Sequence, residues 1–233
     1  MSNRFFVNSL ITSDEVLLTG DEAHHLARVM RCEAGTCVVL FDGSGAEFSC
    51  RVQQVGKSNV TLRVLERCEV DRELPHELTL GVALPKGDRQ RWLTEKAVEL
   101  GVTRLVPLRT SRGVAQPVDK TVVRLQRTVV EASKQCGRNR LMEVSSAMAL
   151  SDFLEAAPID ALRLIAHPGG EASSPLSEGP VFLAIGPEGG FTDLETENAS
   201  ALGWLSVDLG PRILRVETCA LALVASMTCL DRQ

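Results

Sequence analysis

The chain has 233 residues, 44% of them hydrophobic, and a formal net charge of −5, which is enough apolar content for one or two modest cores. No apolar run reaches the ~18 residues of a bilayer span, and the opening "MSNRFFVNSLITSDEV" is too polar for a secretion signal, so the cytoplasm is expected and no membrane is involved. Cys32, Cys37, Cys50, Cys68, Cys136, Cys219 and Cys229 include no C-x-x-C pair, and the adjacent His24 and His25 cannot share a helix face, which argues for reduced, mostly buried thiols and against a metal site.

Residues 1–72 read as a β-rich domain. Phe48, Cys50 and Val52, then Val60, Leu62 and Val64, alternate between turn residues in the pattern of a small barrel. One short helix, "GDEAHHLARVMR", interrupts it, and the acidic "ERCEVDRELPHE" (66–77) reads as a linker. A second domain, 73–233, alternates strand and helix. "ELTLGVALP" is a strand, and "DRQRWLTEKAVELG" is a helix with Asp88 at its N-cap and Gly101 past its end. "VTRLVPL" is the next strand, and Val122, Leu125, Val129, Ala132 and Cys136 make one stripe of a helix over 118–137. "LRLIAH", "VFLAIG" and "WLSVDLG" are short buried strands, with a Thr192-x-x-Glu195 capping box between the last two. The last helix, "VETCALALVASMTCL", is apolar nearly all round and is expected to be buried, in the core or against another subunit. Alternation of this kind argues an α/β fold with a parallel sheet covered on both sides.

The negative average hides a segregation of charge. Lys120, Arg124, Arg127, Lys134, Arg138 and Arg140 face only Glu131 over 120–140, whereas 141–208 carries eleven acids and Arg163 alone. Local field rather than net charge steers a polyanion, although solvated helix faces give the same pattern. Two segments imitate nucleotide-binding motifs. "VGKSN" has Arg51 where a phosphate loop needs glycine, and "VVLFDGSG" is followed by the strand-like "AEFSCRV" instead of a helix, so both read as hairpin turns.

Three strand ends gather glycine and proline: "IAHPGG" (165–170), "IGPEGGF" (185–191) and "LGPRILRVETCA" (209–220). Parallel strands place ligands at their carboxyl ends, so the three turns are expected around one pocket. Glycines let backbone groups approach a ligand and prolines stiffen the turns. None offers a lysine for phosphates, and no carboxylate pair suggests Mg²⁺. Backbone groups, small residues and leucines suit an adenine and an apolar chain better than a triphosphate.

With "LPKGDRQRWLTEKAVELGV" and "EASKQCGR", and with "RFFV", "HHLARVMR" and "LFDG" near the start, these turns resemble the RsmE family, ribosomal RNA uridine-N3 methyltransferases of the SPOUT class. The resemblance runs from Arg4 to the C-terminus. It implies a PUA-like RNA-binding β-barrel over 1–72 and a SPOUT methyltransferase domain over 73–233 whose C-terminal chain forms a trefoil knot, one of the few exceptions to unthreaded chains. It implies a homodimer and S-adenosylmethionine as methyl donor, with N3 of a uridine in 16S ribosomal RNA of the small subunit as acceptor. The donor would be held by His167, Pro168, Ile185, Gly186, Glu188, Gly189, Gly190, Leu209, Gly210, Arg212, Ile213, Leu214, Glu217 and Thr218. Arg215, Glu188 and Arg138 are the catalytic candidates; arginine beside O2 or O4 would stabilise charge on the uracil. Arg4, His25, Arg28, Arg31, Lys86, Arg89, Arg109 and Arg112 are candidate RNA contacts, positioning the substrate without reading its sequence. Aromatics at 4% and the absence of tyrosine disfavour an extended stacking platform. Two other readings remain open here: a SPOUT methyltransferase acting on another RNA, and a non-catalytic RNA-binding ribosome assembly factor.

Overall fold

The computed structural model describes residues 3–113, 119–171 and 179–228. Its first half contains β1 (Arg4–Phe6), β2 (Glu15–Thr19), α1 (Gly20–His24), β3 (Cys37–Phe41), β4 (Ala46–Val55) and β5 (Asn59–Glu69). There follow β6 (Leu78–Val82), α2 (Arg89–Glu99), β7 (Arg104–Arg109), α3 (Asp119–Cys136), β8 (Glu143–Val144), β9 (Met148–Ala149) and α4 (Leu150–Ala156). The last are β10 (Leu162–Glu171), β11 (Val181–Ile185), α5 (Asp193–Ala201), β12 (Leu205–Val207) and α6 (Val216–Thr228). The chain divides into two units, 1–73 with 133–141, and 74–132 with 142–233.

In the first unit the strands lie in the order β1-β3-β4-β5-β2. Among the described residues only β1 and β3 pair in parallel. The expected alternation places Phe48, Cys50, Val52, Val60 and Leu62 in a core with Phe5, Leu18, Leu26 and Leu40. Both imitation motifs are hairpin turns. Asp42 accepts the Ser44 amide at 3.0 Å and the Ile11 amide at 2.8 Å beside the β3–β4 turn, and the Gly56 amide donates to Asn59 at 2.9 Å between β4 and β5. Among the described residues no ladder joins β1 to β2, so the unit is a five-stranded sheet. The presumed linker begins as strand, because Glu66, Arg67 and Cys68 continue the β4 pairing; charge on a sheet's outer face does not interrupt its ladder. The helix expected at 20–31 is α1 followed by a π-helical turn over His25–Val29. The segment 133–141 belongs to this unit through ion pairs and hydrogen bonds. Lys134 meets Glu22 at 2.8 Å, Arg138 pairs with Glu73, and Arg72 donates to the Gly137 carbonyl at 2.8 Å.

In the second unit every strand pair among the described residues is parallel, in the order β12-β10-β11-β6-β7-β8 with β9 also on β7. Leu78, Leu80, Val82, Leu105, Leu164 and Leu183 are fully buried, as expected of strands covered on both faces. α3 buries Leu125, Val129 and Ala132 and ends at Gly137, where φ is +85°; Val118 lies outside the described residues. Asp88 precedes α2 but its side chain makes no cap, because its backbone is already helical (φ −66°, ψ −18°), whereas a cap needs an extended residue. Thr192 and Glu195 form the expected capping box. β8, β9 and α4 were not anticipated; two-residue strands have no periodicity to read.

α6 buries Val216, Ala220, Leu223, Val224 and Met227 but leaves Thr218 and Ala222 exposed, so one stripe of this apolar helix is open. The end of the stretch read as helix, from Cys229, lies outside the described residues. The six described cysteines are free; Cys50 alone among them is buried and Cys37 is exposed, a correction to the expectation of mostly buried thiols.

Phe153, Phe191 and Trp204 centre one core of this unit, with Trp204 Nε1 donating to the Leu154 carbonyl at 3.2 Å. Gly81 on β6 lies under the Phe153 ring, and a Cβ there would come within 2.5 Å of Cζ. Gly81→Ala is expected to destabilise the protein by about 1–3 kcal/mol through overpacking, with partial recovery in Gly81→Ala/Phe153→Leu. Thermal unfolding of both variants checks this.

Candidate active site

Because β12, β10, β11, β6 and β7 are contiguous and parallel, their carboxyl ends lie along one edge of the sheet. This brings residues far apart in sequence to one cleft of about 510 Å³, inside the ~300–1,000 Å³ of ligand pockets. From the end of β10 come Ala166, His167 and Pro168; from the end of β11, 185–191; and from the end of β12, 207–214. His167, Pro168, Ile185, Gly186, Glu188, Gly189, Gly190, Leu209, Gly210, Arg212, Ile213 and Leu214 thus share one wall system, joined by Val216 and Cys219 of α6. The 165–170 segment is the irregular end of β10, whose pairing with β12 shifts between Ala166 and Glu171.

Two side chains lock these turns. Asp208 Oδ2 accepts the Gly169 amide and Oδ1 the Gly210 amide, each at 2.9 Å. Both glycines have positive φ, +82° and +103°, a conformation that spares a Cβ penalty only for glycine and aims the amides at the carboxylate. These amide bonds, with the His167 charge adding to them, hold the Asp208 carboxyl below its ordinary range. Arg112 Nη1 donates to the Gly189 and Phe191 carbonyls at 2.8 and 3.0 Å. A cation expected to meet RNA is engaged by the backbone of the glycine turn, since carbonyls in a tight turn leave lone pairs for a guanidinium.

Arg89 reaches Glu188 at 3.4 Å and Glu217 at 3.5 Å, linking the glycine turn to the first turn of α6. Glu217 is buried and Thr218 exposed, and neither lines the cleft. Arg215 is exposed just before α6 and its carbonyl accepts the Cys219 amide at 2.8 Å. Burial pushes the Cys219 thiol up to about 11, so it is protonated at neutral pH.

The other candidates are elsewhere. Arg138 does not line the cleft; it is buried and paired with Glu73 in the unit of 1–73 and 133–141. Its position at the end of the basic helix made it a candidate, but a guanidinium buried against a carboxylate is held in place as structure. Arg4 meets Glu47 at 2.7 Å and is similarly engaged, and the His25 ring packs edge-on to Phe5. Arg28 and Arg31 are exposed. Arg109 donates to the Ala147 carbonyl at 2.9 Å, and Lys86 is exposed after β6. Asp208 was missed by sequence reasoning. Its signal was present: in Asp208-Leu209-Gly210-Pro211 an aspartate stands two residues before the glycine of the turn, the spacing at which its side chain captures that glycine's amide.

Residues 72–228 match the RNA methyltransferase domain family, and 18–65 match the PUA domain of RNA methyltransferases. The chain is 31% identical to ribosomal RNA small subunit methyltransferase E of Bacillus subtilis, over 91% of this chain and 88% of the relative. It is 34% identical to the Synechocystis protein of the same name, over 92% and 73%. The chain belongs to the ribosomal RNA small subunit methyltransferase E family. A crystal structure from this family, that of Neisseria gonorrhoeae bound to S-adenosylmethionine, superposes with a TM-score of 0.91 at 31% identity, covering 99% of this chain and 98% of that one. Among the described residues no group of three His, Cys, Asp or Glu could hold a metal ion, and no helix is long and apolar enough to cross a membrane.

Asp208 gives this family member a pH signature. Because its folded pKa is depressed, its stabilisation is present above the ordinary aspartate pKa and is lost as pH falls through the lower, folded value. Asp208→Asn is therefore expected to lower stability at neutral pH and to lessen the further loss on acidification. Urea unfolding at about pH 7 and pH 3 tests this; equal acid sensitivity in variant and wild type would refute it.

Proposed function

We propose that this chain methylates N3 of a uridine in 16S ribosomal RNA, using S-adenosylmethionine, in the cytoplasm and as a homodimer. The observation that carries the reading is the cleft in the family-matched region, built from three glycine-proline turns at the ends of adjacent parallel strands. Its lining fits the donor: apolar Ile185, Leu209, Ile213, Leu214 and Val216 alternate with backbone groups, and no lysine is among the described lining residues. The relative from Neisseria gonorrhoeae, bound to S-adenosylmethionine, supports the same assignment.

S-adenosylmethionine, when bound, supplies an electrophilic methyl group on a sulfonium. The chain's residues supply orientation and charge. Leu209 and Leu214 hold an apolar ligand body, and the turns at 186–190 and 209–214 offer amides and carbonyls to its polar edges. Glu188 supplies a carboxylate to a ligand ammonium. Arg212, which lines the cleft, and the exposed Arg215 three residues on are the residues we assign to the acceptor, where a guanidinium near O2 or O4 would stabilise the negative charge that develops on uracil as N3 passes its proton to a base. Arg28 and Arg31 in the PUA-like domain, and Lys86 in the methyltransferase domain, contact backbone phosphates.

The trefoil knot of the C-terminal chain is proposed on the family resemblance. The dimer is supported by the open stripe of α6 and by Ile213, which is 96% exposed in the single chain; an apolar side chain this bare gains by being covered.

In a strain lacking this gene, mass spectrometry of 16S ribosomal RNA nucleosides is expected to show loss of 3-methyluridine, restored by wild type. An unchanged nucleoside profile would overturn the reading. Arg215→Ala is expected to lower kcat roughly 10²–10³-fold with donor affinity little changed, checked by steady-state kinetics and calorimetry.

A further inference from the structure

The first turns of α2 carry a side chain for which the cleft has no use. Trp92 is 46% exposed, while the helix buries Gln90, Leu93, Thr94, Ala97 and Val98; the indole is off the packed face. Trp92 lies three residues from Arg89, so the two are neighbours on one helix ridge. Arg89 in turn contacts Glu188 of the glycine turn at 3.4 Å, which puts this ridge at the rim of the cleft. Lys86 and Arg91 are exposed nearby and have no ion-pair partner among the described residues. Further along the helix, Lys96 is taken up by Glu95 and Glu99 at 3.2 and 2.7 Å.

Cations at a helix N-terminus oppose its macrodipole, and a half-bare indole gains nothing from water. An anion beside the cations and a flat apolar partner on the ring relieve both costs. A nucleotide supplies both, with its phosphate and its base. Few aromatics exclude an extended stacking sheet, but one ring suffices for one base.

We propose that Trp92 stacks a base of the RNA substrate beside the target uridine, with Lys86 and Arg91 on the flanking phosphates. The inference rests on the RNA methyltransferase reading above. It makes Trp92 a residue for holding RNA, not for the chemical step, so its loss acts on KM for RNA.

The sequence contains two tryptophans. Trp204 is 3% exposed, so quenching of indole fluorescence by RNA reports Trp92. A uridine-containing single-stranded oligoribonucleotide is expected to quench wild type and to leave Trp92→Phe unquenched. Trp92→Ala is expected to raise KM for 16S ribosomal RNA roughly 5- to 150-fold, the range of one base–aromatic stack, with kcat at saturating RNA and donor affinity unchanged; Trp92→Phe restores most of the loss. Absence of quenching, or an unchanged KM in Trp92→Ala, would overturn the proposal. So would emission that follows protein concentration instead of RNA, which would mean that a second copy covers the ring. Quenching needs no turnover: a wild type quenched by RNA that methylates nothing would keep the stack and lose the methyltransferase reading.

Discussion

One carboxylate holds two walls of the cleft together. Asp208 receives the amides of Gly169 and Gly210 at the same distance, 2.9 Å, and so ties the end of β10 to the turn after β12. Each amide would otherwise need a water or ligand partner, since an unpaired backbone donor is costly wherever solvent is excluded. The carboxylate therefore sets where these two turns stand before any ligand arrives, and preorganisation of this kind spares ordering entropy on binding. The third turn is fixed separately, from its carbonyl side, by Arg112.

The parallel sheet makes these ties possible. Its register sets Ile165 between Ala184 and Ser206, so the chain leaves β10, β11 and β12 at nearly the same level. Gly170 shows how closely the backbones approach: a Cβ there would lie 2.6 Å from the Ser206 carbonyl carbon. An antiparallel neighbour would send its turn to the opposite edge and leave the cleft without that wall.

Arginine serves three purposes around this edge, distinguished by partner. Arg112 is a backbone clamp, satisfied by two carbonyls. Arg89 bridges two carboxylates, the part-exposed Glu188 at 3.4 Å and the buried Glu217 at 3.5 Å; the first pair contributes little stability, whereas the second gives a buried carboxylate its counter-charge. Arg212 and Arg215 are both exposed beside α6, and of the two only Arg212 lines the cleft. In the other unit Arg4 and Arg138 are engaged by Glu47 and Glu73, so the basic run over 120–140 is partly internal structure and not a uniform nucleic-acid surface.

Much of this was legible in the amino acids. The stripe Leu125, Val129 and Ala132, the Thr192 capping box, the two hairpin turns and the three glycine-proline turns all depend on neighbours a few residues apart, and local sequence carries that information. Asp88 misled because a cap depends on backbone angles as well as residue type, and "ERCEVDRE" misled because a strand paired on β4 tolerates charge on its outer face. By itself, then, the sequence determined the longer elements, the parallel α/β class and the turns that form the cleft, but not β8, β9 and α4. Only the tertiary structure decided which charges those turns retain, because the partners are remote: Arg112 finds the Gly189 carbonyl 77 residues away and Arg89 finds Glu188 99 residues away. No local pattern distinguishes an arginine that will be neutralised by a distant carbonyl or carboxylate from one that will face a ligand.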